Sequence, residues 1–156
     1  LLAQLNAAVS DADLVPMGLT QIAQLTASSG TTQTFSSIPQ TYAELLVVFS
    51  GITQNSGVSR NLAWAVSPDG STFSTATNQT YMGSDGTTPM VGAMSIPGYS
   101  KATGVAIGGS GAAANSTAGL SGALGWTVSS GGIVALRFSW ASGAAFTGGT
   151  ITLFRR

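Results

Sequence analysis

Beyond Pro16 the pattern of apolar and polar residues changes from the helical spacing of the first segment to that of β-strands, which holds through most of the chain. Thr20 to Leu25 and Thr31 to Ile38 predict two strands separated by the Ser/Gly cluster "TASSG", and Pro39 in "IPQTY" ends the second. Glu44 to Gly51, "ELLVVFSG", is an unbroken apolar run of strand length. That is the pattern of a strand covered on both faces, so it predicts the central strand of the core. Asn61 to Ser67 sets Leu62, Trp64 and Val66 on one face and Ala63 and Ala65 on the other. It leads into "SPDGSTF", where Pro68, Asp69 and Gly70 predict a tight turn with glycine at the position that needs positive φ.

Between Ser74 and Ala102 no period is sustained: "TNQTYMGSDGTTPM" reads as loop, and "VGAMSIPGYS" as at most one short strand closed by a Pro97-Gly98 turn. Gly104 to Gly125 is rich in Gly and Ala, the composition of a linker, but Val105/Ile107 and Leu120/Ala123 predict two strands of small side chains instead. Val134, Leu136, Phe138 and Trp140 then alternate strictly with Ala135, Arg137, Ser139 and Ala141, the mark of a half-buried strand. Gly148-Gly149 is expected to turn the chain into a closing strand, Thr150 to Phe154, with Ile151 and Leu153 inward. About eight strands separated by such turns predict an all-β fold, an antiparallel β-sandwich of jelly-roll-like type. Phe49, Trp64, Leu136, Phe138 and Trp140 are expected to share one inter-sheet core.

Residues 1–19 read as an N-terminal arm and residues 20–156 as the sandwich domain. Within the arm, Leu2, Leu5, Val9 and Ala12 fall near helical spacing between Leu1 and Leu14, with Ser10 and Asp11 as cap residues. A helix this short is not stable alone in water and needs a partner surface. Leu2, Leu5 and Val9 are therefore expected to contact another chain, the alternative being a tail packed on its own sandwich. The lack of an initiator Met and of a Lys/Arg-led signal segment predicts a processed or trimmed product.

Charge changes the picture more than length does. Five acidic side chains (Asp11, Asp13, Glu44, Asp69, Asp85) balance five basic ones (Arg60, Lys101, Arg137, Arg155, Arg156) in 156 residues. A compact monomer of this mass exposes roughly 7,000 Å², or one charge per about 700 Å². With 6% charged residues and a mean hydropathy of +0.34, the exterior is either Ser, Thr, Gly, Ala and Asn or is covered by neighbouring subunits. The second reading predicts a homo-oligomer. Scattered cations argue against nucleic acid, and no apolar run reaches the length of a membrane-crossing helix.

The absence of His and Cys removes the commonest general base, the best nucleophile and the commonest metal ligands. Asp69 and Asp85 are the loop carboxylates that could serve glycoside hydrolysis, but each precedes a glycine in a turn, where Asp is expected on backbone grounds. Lys101 could activate a serine only at Ser100, and adjacent strand residues point to opposite faces. "GSDGTT" offers calcium a single carboxylate. No catalytic residue, metal site or cofactor is predicted. Tyr81 and Tyr99, in the loop-rich third, are the aromatics that could stack on a sugar face; the alternative is that they cover the ends of the sandwich.

Three segments, "LTASSGTTQTFSSIPQTYAELLVV" (Leu25 to Val48), "VSPDGSTF" (Val66 to Phe73) and "LRFSWASGAAFTGGTITLF" (Leu136 to Phe154), carry a resemblance. Together they cover about a third of the chain and are similar to a loosely defined group of tailed-bacteriophage virion proteins. The shared features are a Ser/Thr-rich first hairpin, an Ile-Pro turn followed by Thr-Tyr, a strongly apolar strand and a DG hairpin. The group's closing Leu-Tyr-Gly type sequence is replaced here by Leu153-Phe154-Arg155-Arg156. The resemblance implies a non-enzymatic β-sandwich on the external surface of a virion. It would decorate or cement the capsid against major capsid or other virion proteins, with a trimer favoured. The alternative it leaves is a fibre or tail-tip module binding host surface glycan.

Overall fold

Alternation along each strand decides which side chains meet between layers, and the pairing of strands decides which layers exist. The computed structural model of the protein describes residues 18–58, 60–74, 79–84, 88–101, 105–113, 120–126 and 131–156. Among these, ten strands occur: β1 Thr20–Thr26, β2 Thr32–Phe35, β3 Glu44–Gln54, β4 Arg60–Ser67, β5 Gln79–Ser84, β6 Met90–Pro97, β7 Val105–Ala113, β8 Leu120–Trp126, β9 Ala135–Trp140 and β10 Phe146–Arg155. A 3-10 turn at Ala141–Gly143 is the only helical element among the described residues. The helix expected between Leu1 and Leu14 lies outside them.

All pairings are antiparallel, and they are nested: β1 with β10, β2 with β9, β3 with β6 and β4 with β5. Folding this ribbon brings β10 beside β3 and β9 beside β4, and successive pairs fall in opposite sheets. This winding is that of a jelly roll. The β7–β8 hairpin is inserted between β6 and β9 and extends the β6 edge. One sheet is therefore six strands wide, in the order β1-β10-β3-β6-β7-β8, and the other four, β2-β9-β4-β5.

Between the sheets, Leu45, Val47 and Phe49 of β3 and Ile151 and Leu153 of β10 face Leu62, Trp64 and Val66 of β4 and Leu136, Phe138 and Trp140 of β9. The five residues expected in one core are all in it. Phe138 meets Phe49 edge-on at 5.2 Å between ring centroids and Phe35 at 6.4 Å, the arrangement that aromatic quadrupoles favour. β3 is interior to its sheet, as its apolar run predicts.

Three expectations need correction. The stretch "TNQTYMGSDGTTPM", read as loop, contains β5, and the segment allowed at most one short strand forms β6, eight residues long and paired with β3. Its inward Met90, Met94 and Ile96 are spaced by Gly92, Ala93 and Ser95, which blur the contrast a period needs. Gly148-Gly149 does not turn the chain. Both glycines lie inside β10, at two successive register shifts against β3. A Cβ on Gly149 would lie 2.4 Å from the carbonyl oxygen of Gly51, so two backbones cross there at a distance only glycine permits. The second strand is also shorter than expected, ending at Phe35, while buried Ile38 donates its N–H to the carbonyl of Val134 in a connecting segment.

Candidate functional site

The two sheets finish their outer faces differently. On the four-stranded sheet, Arg137 of β9 stands opposite Ala65 of β4 and carries its guanidinium 3.9 Å over the Phe73 ring. Phe73 belongs to the turn after β4, which is held by Ser74 hydrogen-bonding both the N–H and the carbonyl of Val66. Asp69 fixes the turn's other arm. Its Oδ1 accepts from the N–H groups of Thr72 and Ser71, each at 2.7 Å, and from the Ser67 hydroxyl at 2.9 Å. These donors, the Thr72 N–H foremost, then the Ser71 N–H, hold its carboxyl well below the usual carboxylate range. Asp69 is thus a turn residue whose Oδ1 is committed to the turn, as its Asp-Gly context predicts, and Gly70 beside it has φ 83°. Ala63, Ala65 and Ser67, the outward residues of β4, are buried.

The six-stranded sheet presents a different surface. Leu46 and Val48, the outward residues of β3, are half-buried, opposite Phe154 and Thr152 of β10 and Ser95 and Ala93 of β6. Further along β6, Val91 is 52% exposed. The stripe bears no charge until its end, where Glu44 of β3 accepts from the Ser95 hydroxyl and lies 3.8 Å from the exposed Arg156. Arg155 stands opposite Thr20 in register and places its guanidinium 4.3 Å over the half-buried Tyr42 ring, with a buried Nε that has no hydrogen-bond partner. The turn after β6 ends in exposed Lys101 and is tied to the same place by the Gly98 N–H bonded to the carbonyl of Ala43. Three cationic side chains and one carboxylate therefore gather at this end of the sandwich.

Of the two aromatics that could stack on a sugar, the burial of Tyr99 is described. Tyr99 is fully buried: the turn at Gly98 folds it under the end of the sandwich, where its hydroxyl donates to the Pro39 carbonyl and its own carbonyl accepts from the Ile133 N–H. Burial pushes its hydroxyl pKa up. Its ring offers no face to a ligand and closes an end of the core, in keeping with the reading that it covers an end of the sandwich. Tyr81 is in β5, on the other sheet. Leu2, Leu5, Val9 and Asp85 lie outside the described residues. Ser100 and Lys101 occupy a turn, not a strand. Among the described residues no three acidic side chains come together as metal ligands would.

An opening of about 170 Å³ lies between β1 and the β2–β3 connection, lined by Ile22, Ala23, Phe35, Ile38, Pro39 and Leu153. That is below the volume of sites that enclose small molecules, roughly 300 to 1,000 Å³. The apolar outer stripe was the surface sequence reasoning missed. Its signal was present in "ELLVVFSG", which reads as covered on both faces, although the second face is covered only in part. Comparison with protein-family models, with curated proteins and with solved structures finds no match to this chain.

Proposed function

We propose that this chain is a non-enzymatic structural protein of the outer surface of a bacteriophage particle. It decorates or cements the capsid by binding major capsid or other virion proteins, and it self-associates, with a trimer as the favoured state. The observation that carries the reading is a jelly-roll winding wrapped in an almost uncharged exterior. The accessible surface of 7959 Å² is shared by ten charged side chains, roughly 800 Å² for each. Jelly rolls recur in capsid and lectin domains, and a surface this poor in charge suits a molecule covered by neighbours better than one free in solution. The three segments similar to phage virion proteins support the same reading. A glycan-binding role has less to stand on, because Tyr99, one of its two candidate aromatics, is inside the core.

Imaging of purified particles with an antibody or gold label against this chain tests the proposal. Label arrayed over the capsid lattice is the expected result. Label confined to the tail tip would transfer the chain to the fibre class, and particles without label would end the virion reading. Sedimentation of the purified protein at micromolar concentration tests self-association: a soluble 15.5 kDa monomer would contradict it.

A further inference from the structure

We propose that the free edge of β1 between Ala23 and Thr26 takes up an extended, uncharged segment of the virion protein to which this chain attaches, with one apolar side chain of that segment seated in the opening beside Ile22 and Ala23. The inference rests on the function proposed above and names the surface that performs it. β1 ends the six-stranded sheet and is paired, among the described residues, only with β10. Ala27 donates its N–H to the carbonyl of Gly149. Antiparallel pairing alternates, so the peptide groups of Leu25 and Ala23 also turn towards β10, and those of Gln24 and Thr26 turn away from it. Both of these residues are exposed. A row of outward N–H and C=O groups is matched by one kind of partner, an extended backbone.

The edge is unguarded where it is regular. Edge strands are commonly blunted by charge, proline or a bulge; β1 has a bulge between Gln21 and Ala23 and none of these devices from Ala23 to Thr26. Between Asp13 and Glu44 the sequence holds no charged residue, so the occupant that matches β1, β2 and the connection after β2 in charge is an uncharged one. Ile22 and Leu25 are only partly buried against the core. Beside them lies the opening of about 170 Å³, walled also by Phe35, Ile38 and Leu153. An apolar cavity of roughly 150 Å³ admits a group the size of benzene. The opening is thus too small for a cofactor-sized molecule and sized for one large apolar side chain. Residues opposite each other on paired strands share a face, so the residue that an added strand sets opposite Ala23 is directed to that opening. The β1 edge of a second copy fits less well: two-fold pairing about Gln24 sets the bulged Ile22 opposite Thr26 at both ends and leaves only Ala23 to Leu25 regular. A foreign segment has no such symmetry to obey.

Photo-crosslinking on purified particles, with a benzophenone amino acid in place of Gln24, tests this. Crosslinks to an uncharged stretch of another virion protein are the expected result. Thr26→Pro removes one outward N–H at a position where an edge strand tolerates proline, and Thr26→Lys puts a charge on the same edge. Each should lower the occupancy of particles about tenfold, as the loss of a main-chain hydrogen bond would, while the midpoint of thermal unfolding holds. Thr26→Val keeps the N–H and should keep full occupancy. Ala23→Leu fills the opening from its own wall and should lower occupancy with the edge intact. Crosslinks to a second copy, or none on particles that carry the chain, would overturn the inference and leave the proposed function standing. Full occupancy by Thr26→Lys would do the same. Particles that lack the chain would end both.

Discussion

The two outer faces of this sandwich differ in how they are finished, and the difference lies in sequence-local devices. On the four-stranded sheet the outward residues of β4 are small, and the turn that follows the same strand supplies Phe73 beneath the Arg137 guanidinium. A hairpin-sized segment closes what it has just exposed. On the six-stranded sheet the outward residues of β3 are Leu46 and Val48, and no neighbouring turn among the described residues reaches over them. Thr152 and Phe154 of β10 are buried on that face, whereas Val91 of β6 is exposed. A jelly roll can thus finish its two outer faces by different means, while both layers share one core.

Mutations can break or sharpen this contrast. The largest effect should come from the shared core, where the faces are equivalent: Phe138→Ala removes the ring between Phe35 and Phe49 and should cost about 3 to 5 kcal/mol in denaturant unfolding. A loss under 1 kcal/mol would mean the two sheets do not pack through that ring. Next comes an enlargement on each outer face. Ala65→Leu has to fit beside Arg137 on the closed face and should cost about 1 to 3 kcal/mol by overpacking. Val48→Leu on the open stripe should stay within about 0.5 kcal/mol. Equal costs would erase the distinction between the faces.

The smallest expected effect concerns the turn that closes the four-stranded sheet. Asp69 has a folded pKa below its unfolded value, so its contribution is present above the ordinary carboxylate range and is lost as pH falls through about 4 and below. Thermal unfolding followed between pH 2 and 7 should therefore show a shallower acid limb in Asp69→Asn than in the unaltered chain. An identical acid limb would show that the turn does not depend on the charge of Asp69.

Legibility in the sequence followed contrast between neighbouring side chains. β4 and β9 could be read because each sets large apolar residues against small or polar ones, and β3 because its apolar run is unbroken; their inward residues are the core found. β6 showed only as at most one short strand, because Gly92, Ala93 and Ser95 differ too little from their surroundings for a full period to show. The Gly148-Gly149 pair was misread for a related reason: glycine permits both a turn and a close crossing, and only the presence of Gly51 across the sheet decides between them. Tyr99 looked like a surface residue because its segment is full of turn signals, yet the turn is what folds it inward. The nested pairing order depends on contacts far apart in sequence, which no local pattern encodes. Of the candidate surfaces, the positions of charges were legible, but their gathering at one end needed the register of β10 against β1.

The position of β10 between β1 and β3 has a consequence for how the chain acquires this structure. The last strand is the bridge that joins the first to the third, so two early strands have no shared neighbour until it is made. At roughly 5 to 20 residues per second of synthesis, β3 waits on the order of ten seconds for its partner on that side. The contacts that complete the sheet have very large sequence separation, as in the bond from Gln24 to Thr152, and such topologies fold slowly, on the order of milliseconds to seconds. During the wait, the uncharged run Leu45 to Ile52 is an unpaired edge of the kind that recruits other copies into aggregates. Production of this protein should therefore respond to chaperone supply more than to changes that stabilise the finished fold.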